Sequence, residues 1–188
     1  RRLNSSMPSW ATKNLMRAAG VPTDQLYAVQ GGEDYQFEGF SVRVIPSLHS
    51  ALNEKHYFSS KRHGADFKGP LRLEHFTEGG SLMFLCRING TEVLTMGSMN
   101  FIENELRDVR PDILLAGAGS SRTEIYKYTE RLLKVTGFPR IVIPTHWDDF
   151  TVPYENQAAL AQARKEKADP FIVEAAAASP PTRAILPP

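Results

Sequence analysis

Two stretches of the chain end alike. Val44-Ile45-Pro46-Ser47-Leu48-His49 and Val142-Ile143-Pro144-Thr145-His146 are β-branched runs that a proline stops, each with a histidine just beyond. Such a run is a strand, and the histidine then stands where a sheet offers side chains to a cleft. Imidazoles presented from separate strand ends can converge on one metal ion. Trp147, Asp148 and Asp149 give the second histidine a polar neighbourhood, in which Asp148 is a candidate ligand, a partner that orients His146, or a loop cap. The remaining histidines lack that placement. His56 and His63 fall among Ser59, Ser60 and Gly64 and read as exposed loop residues, and His75, in Leu71-Arg72-Leu73-Glu74-His75-Phe76, reads as a cross-strand residue.

Ser98 invites a different chemistry. In Gly97-Ser98-Met99-Asn100 a hydroxyl lies between a strand and a helix, so a serine nucleophile with His49 or His146 as base and Asp148 or Asp149 as orienting carboxylate is conceivable. The Gly-x-Ser-x-Gly elbow is absent. Ala116-Gly117-Ala118-Gly119-Ser120-Ser121 lacks the Gly-Lys-Ser/Thr ending of a phosphate loop and the third glycine of a dinucleotide fingerprint, so its glycines read as turn residues. Cys86, the single cysteine, lies in an apolar run and reads as a small buried hydrophobe. The chain forms no internal disulfide, which fits a reducing, cytoplasmic setting.

The elements that must position these residues follow from pattern. Ser9 to Gly20 reads as a short helix stopped by glycine, Gln36–Phe40 and Ser41–Ile45 as strands around a Glu38-Gly39 turn, and residues 50–70 as a long loop. Ser81–Ile88 and Thr91–Met96 flank Asn89-Gly90, a strong hairpin signal. Ile113–Ala116 reads as a buried strand. A helix should follow, capped by Ser121 with Glu124, apolar along Ile125, Tyr128, Leu132 and Val135, and closed by Gly137. Arg140–Ile143 is the strand that delivers His146. Ala158–Lys167 reads as a helix, Pro170–Glu174 as a last strand, and the alanine run at 175–178 with the proline-rich end as tail. The expected organisation is one domain over 1–174 and a tail over 175–188. An antiparallel hairpin followed by β-α-β units predicts an α/β (α+β) layered fold with a mixed sheet.

Composition excludes several functions. A chain of 188 residues, 41% hydrophobic, supplies the core of one domain, and 22 basic against 21 acidic residues leave a formal charge of +1. No basic footprint for nucleic acid results. No apolar run approaches the roughly 20 residues that span a bilayer, and no apolar segment of a secretory signal follows the first residues. A small-molecule substrate is the expected partner.

Five segments in order, Ile45-Pro46-Ser47-Leu48-His49-Ser50, Glu78-Gly79-Gly80-Ser81-Leu82, Met96-Gly97-Ser98-Met99-Asn100-Phe101, Arg110-Pro111-Asp112-Ile113-Leu114 and Ile143-Pro144-Thr145-His146-Trp147-Asp148-Asp149-Phe150, resemble the later part of metallo-β-lactamase-fold hydrolases, in the lactonase-like branch. The resemblance implies an αββα sandwich of two similar halves with one or two divalent ions, zinc first and manganese or iron after it, at the sheet edge. It implies His49 and His146 as late metal ligands, and hydrolysis of an ester, lactone or related bond by metal-activated water. Ser98 stands where such proteins carry a bridging aspartate, and a neutral hydroxyl is a poor bridge between cations. No His-x-His pair of the family's first metal motif occurs in the chain. The sandwich is therefore expected to be incomplete, with a homodimer as another way to cover the sheet, and a catalytically silent binding or assembly module as the alternative function.

Overall fold

The computed structural model describes residues 10–50, 62–76, 80–149 and 151–186. Helix α1, Trp10–Ala18, buries Leu15 and ends where Gly20 takes φ +95°, letting the Val21 N–H reach back to the Met16 carbonyl at 3.0 Å. Strands β1, Asp34–Phe37, and β2, Phe40–Pro46, form an antiparallel pair around Glu38-Gly39. Strands β3, Leu82–Ile88, and β4, Thr91–Met96, form the expected hairpin, with Asn89 at φ 49° and Gly90 at φ 77°, the positive pair that a two-residue turn of matching twist requires. The short helix α2, Glu103–Leu106, leads to β5, Ile113–Gly117. Helix α3, Tyr128–Val135, leads to β6, Ile141–Thr145.

These strands join one seven-stranded sheet in chain order, antiparallel from β1 to β4 and parallel from β4 through β7, Arg183–Ala184. Side chains alternate between faces. One face, including Leu85, Leu94, Leu114 and Val142, packs against Leu132, Leu133, Phe171 and Ala175 of the helices and is almost fully buried. The opposite face carries cross-strand rows, Val42-Cys86-Val93-Ile113-Ile141 and Val44-Phe84-Thr95-Leu115-Ile143. Val42 and Val44 are buried; the other members are half-buried. This mixed α/β sheet matches the expected class.

Five local expectations are corrected. Pro170–Glu174 is not a strand: it belongs to helix α5, Asp169–Ala178, and the alanine run expected as tail completes that helix, with Ala175 in the core. Phe-Ile-Val favours strands locally, but Ala168, Phe171 and Ala175 recur at helical spacing and tertiary burial decides. The helix runs on from α4, Gln157–Ala163, whose cap is the Asn156 side chain accepting from the Ala159 N–H. Between α4 and α5 lies a π-helical stretch, Arg164–Ala168. Pro170 lacks an N–H, and the wider turn before it, with the Asp169 N–H on the Arg164 carbonyl, lets the helix continue through it.

Ser121 and Glu124 do not cap α3. They lie in a 3-10 segment, Ser120–Glu124, the Ser121 Oγ is buried without a partner among the described residues, and α3 begins after Lys127 in left-handed conformation, φ 45°. Gly137, at φ +74°, does end α3, with the Phe138 N–H on the Leu133 carbonyl at 2.8 Å. His75 lies in a 3-10 turn, Leu73–His75, and not in a strand; its Nδ1 accepts the Arg72 N–H. His63 is half-buried, its ring 4.1 Å from that of Phe67, instead of exposed. His56 lies outside the described residues.

Candidate functional site

Strands β2, β4, β5 and β6 all end on one edge of the sheet, because β2 and β4 each pair antiparallel with β3 while β4, β5 and β6 run parallel. Open sheets of this kind bind ligands beyond the carboxyl ends of their strands. His49, Ser98 and His146 stand there, each one to three residues past a strand end.

The edge is built as a chain of contacts. The Ser50 N–H donates to the Ser98 Oγ at 2.9 Å, which carries the loop after β2 across β3 to the end of β4. Ser47 Oγ donates to the Asn100 carbonyl at 2.9 Å and fastens the same two loops. On the other side of Ser98, Gly117 and Gly119 admit Met99: an added Cβ would stand 2.8 Å from Met99 Cγ at Gly117 and 2.9 Å from Met99 Cε at Gly119. The Cβ at Gly119 would also meet the His146 carbonyl oxygen at 3.0 Å. The Ala118 N–H donates to the Thr145 carbonyl at 2.8 Å. Ser98 thus contacts the segments on both sides of it, and His146 lies two strands away, roughly 10 Å at ordinary strand spacing.

The candidate side chains differ in setting. His49 is half-buried, with Nδ1 3.2 Å from both the carbonyl and the Oγ of Ser50. The tautomer that donates from Nδ1 to the carbonyl carries its lone pair on Nε2, the form that ligates metal through Nε2. His146 is exposed at φ +55°, a left-handed backbone that costs a non-glycine residue about 1–2 kcal/mol. Strain of this kind gathers at functional positions. Trp147 packs against the core and anchors the turn, while Asp148 is exposed. Asp149 accepts from the Thr151 hydroxyl at 2.6 Å and the Thr151 N–H at 2.9 Å, and these bonds hold its carboxyl below the usual range. Ser98 is only 4% exposed. Burial pushes the thiol of Cys86 up, in keeping with a packing role.

No protein-family model and no curated protein matches the chain. Solved structures do. The metallo-β-lactamase fold protein YhfI from Bacillus subtilis superposes with a TM-score of 0.54 at 10% identity, over 94% of this chain and 59% of its own. The chain has the metallo-β-lactamase fold. A proposed metal-dependent hydrolase from Parabacteroides distasonis matches with a TM-score of 0.51 at 11% identity, over 99% of this chain and 65% of its own. A variant of the β-hydroxylase CmlA matches with a TM-score of 0.56 at 13% identity, over 97% of this chain and 35% of its own. The chain therefore spans less than two thirds of the length of each of these proteins.

The Parabacteroides distasonis neighbour is a proposed metal-dependent hydrolase, a class of protein that uses a metal ion. The edge residues alone do not complete a site for one: a catalytic zinc takes three protein ligands, and among the described residues no group of three or more His, Cys, Asp or Glu side chains is placed to hold a metal. His49 and His146 supply two imidazoles, and the Oγ of Ser98 already accepts a backbone N–H.

Arg122 is not evident as a site residue from the sequence. It is 3% exposed, and its Nη2 pairs with Glu174 Oε1 at 2.7 Å. Its position in an expected helical cap concealed it, and its partner Glu174 lies 52 residues away and is itself exposed, so neither residue marks the pair in the sequence.

Proposed function

We propose that the chain furnishes the later part of a metal-dependent hydrolase site, with His49 and His146 as ligands of a divalent ion, Asp148 beside His146, and an ester, lactone or related bond of a small molecule as substrate. Zinc is the first choice because imidazole donors suit it. The observation that supports this reading is the common edge: two histidines far apart in sequence follow strand ends of one sheet and are linked through Ser50, Ser98 and the Gly117–Gly119 turn.

A second reading, a module that keeps the fold for binding or assembly without hydrolysis, draws on Ser98. Its neutral hydroxyl stands at the end of β4 and is taken up by a backbone bond. Burial also works against Ser98 as a nucleophile, since a substrate would have to reach a side chain closed to solvent. The scaffold occurs in a β-hydroxylase as well as in a proposed hydrolase, so fold alone does not choose a reaction.

Metal analysis separates the readings. After zinc loading and removal of excess ion, the hydrolase reading predicts near-stoichiometric zinc and a raised melting temperature, both lost in His146→Ala. A protein that takes up no ion and shows no thermal response favours the silent module.

A further inference from the structure

We propose that Arg122, held by Glu174, is a positioning residue for the His146 end of the site; the proposal rests on the reading of His146 as a site residue. Arg122 is 3% exposed. Its guanidinium is buried and bidentate on Glu174, Nη2 to Oε1 at 2.7 Å and Nε to Oε2 at 3.3 Å, and Glu174 Oε2 also accepts from Thr129 Oγ1 at 2.7 Å. The remaining nitrogen, Nη1, turns inward to the carbonyls of Ala118 at 3.3 Å and Gly119 at 3.5 Å. Tyr128 Oη donates to the carbonyl before them, Gly117, at 2.8 Å. Three successive carbonyls of one turn are thus held from the helix side.

The opposite side of that turn is the site edge. The Ala118 N–H fixes Thr145, the residue before His146, and the bare Cα of Gly119 sits against the His146 carbonyl. His146 holds a strained backbone, which persists only where the surroundings over-determine it. The geometry identifies the surroundings: Glu174 of α5 aims Arg122, Arg122 sets the turn, and the turn sets His146. A planar, five-donor guanidinium can grip a carboxylate and two carbonyls at once, which an ammonium on a single stem cannot.

Nuclear magnetic resonance of the metal-free chain tests this. Glu174→Gln, Arg122→Met and Arg122→Lys are compared with wild type by the backbone amide and imidazole signals of His146, with His75 as internal standard and thermal melting recorded alongside. The expected result is a shift of the His146 signals beyond any shift of His75 in Glu174→Gln and Arg122→Met, only partly reversed in Arg122→Lys. Unmoved His146 signals in a folded Glu174→Gln protein with a lowered melting temperature would reduce the pair to a staple of the fold and overturn the proposal. Glu174→Gln keeps the packing and decides the matter where Arg122→Met does not fold. Because no metal is present, a failure of zinc uptake leaves this outcome standing, and the converse holds.

Discussion

At the scale of single residues, the edge is governed by buried polar bonds and one strained backbone. Ser50 is 3% and Ser98 4% exposed, so the N–H to Oγ bond between them lies out of water's reach. Ser98→Ala leaves that N–H unsatisfied and is expected to cost about 1–3 kcal/mol in urea unfolding, with no loss of a covalent organophosphonate label, because wild type takes none. Labelling of wild type that Ser98→Ala abolishes would restore the serine mechanism. His146 makes the complementary case. In a left-handed backbone, alanine keeps the steric penalty and glycine sheds it, so His146→Gly is expected to be more stable than His146→Ala by about 1 kcal/mol, read as the difference between their urea midpoints. Equal stability would remove strain from the account of this turn.

At the scale of elements, the helices on one face decide what the strand edges can present. Phe171 is fully buried in the first turn of α5, and Phe171→Ala is expected to cost about 3–5 kcal/mol, measured by denaturant unfolding with helical circular dichroism. A tail or an edge strand at that position would lose far less. Charge ties α2 to α3: Arg131 Nε lies 3.1 Å from Glu103 Oε1, and that bond holds the Glu103 carboxyl below its ordinary range. A carboxyl whose folded value is depressed contributes stability above its unfolded value, near pH 4.3 for glutamate, and loses it as pH falls through the folded one. Melting of wild type should therefore converge with that of Glu103→Gln as pH drops below about 4, and a gap that persists there would give the Glu103 side chain a role beyond its charge. The hairpin and the strands that carry His49 and His146 were legible in the sequence because turn chemistry and β-branched runs act locally. Helix α5 was not, since Phe-Ile-Val and a proline argue locally for a strand, and only contact with Leu132, Leu133 and the sheet turns them helical. The same holds at the site: the histidines announced themselves by spacing, whereas Arg122 depends on a carboxylate 52 residues away.

At the scale of the molecule, the two faces of the sheet are unequal. Val142 points to the helices and is fully buried, while Ile143 beside it lies in the half-buried row with Leu115 and Phe84. Lysine at Val142 places an unpaired charge in the core and is expected to cost more than about 4 kcal/mol, whereas Ile143→Lys should cost about 1 kcal/mol. Equal costs in urea unfolding would mean that the second face is as tightly covered as the first. The half-buried face is largely apolar as well, in keeping with the metallo-β-lactamase fold.

His49 and His146 must serve one site, and titration with cobalt(II) followed by magnetic resonance tests that most directly. The predicted result is that the imidazole signals of His49 and His146 broaden together, at the same metal ratio and before those of His63 and His75, and that His49→Ala or His146→Ala abolishes the effect at both. Broadening of only one of the pair, or of His63 and His75 first, would contradict it.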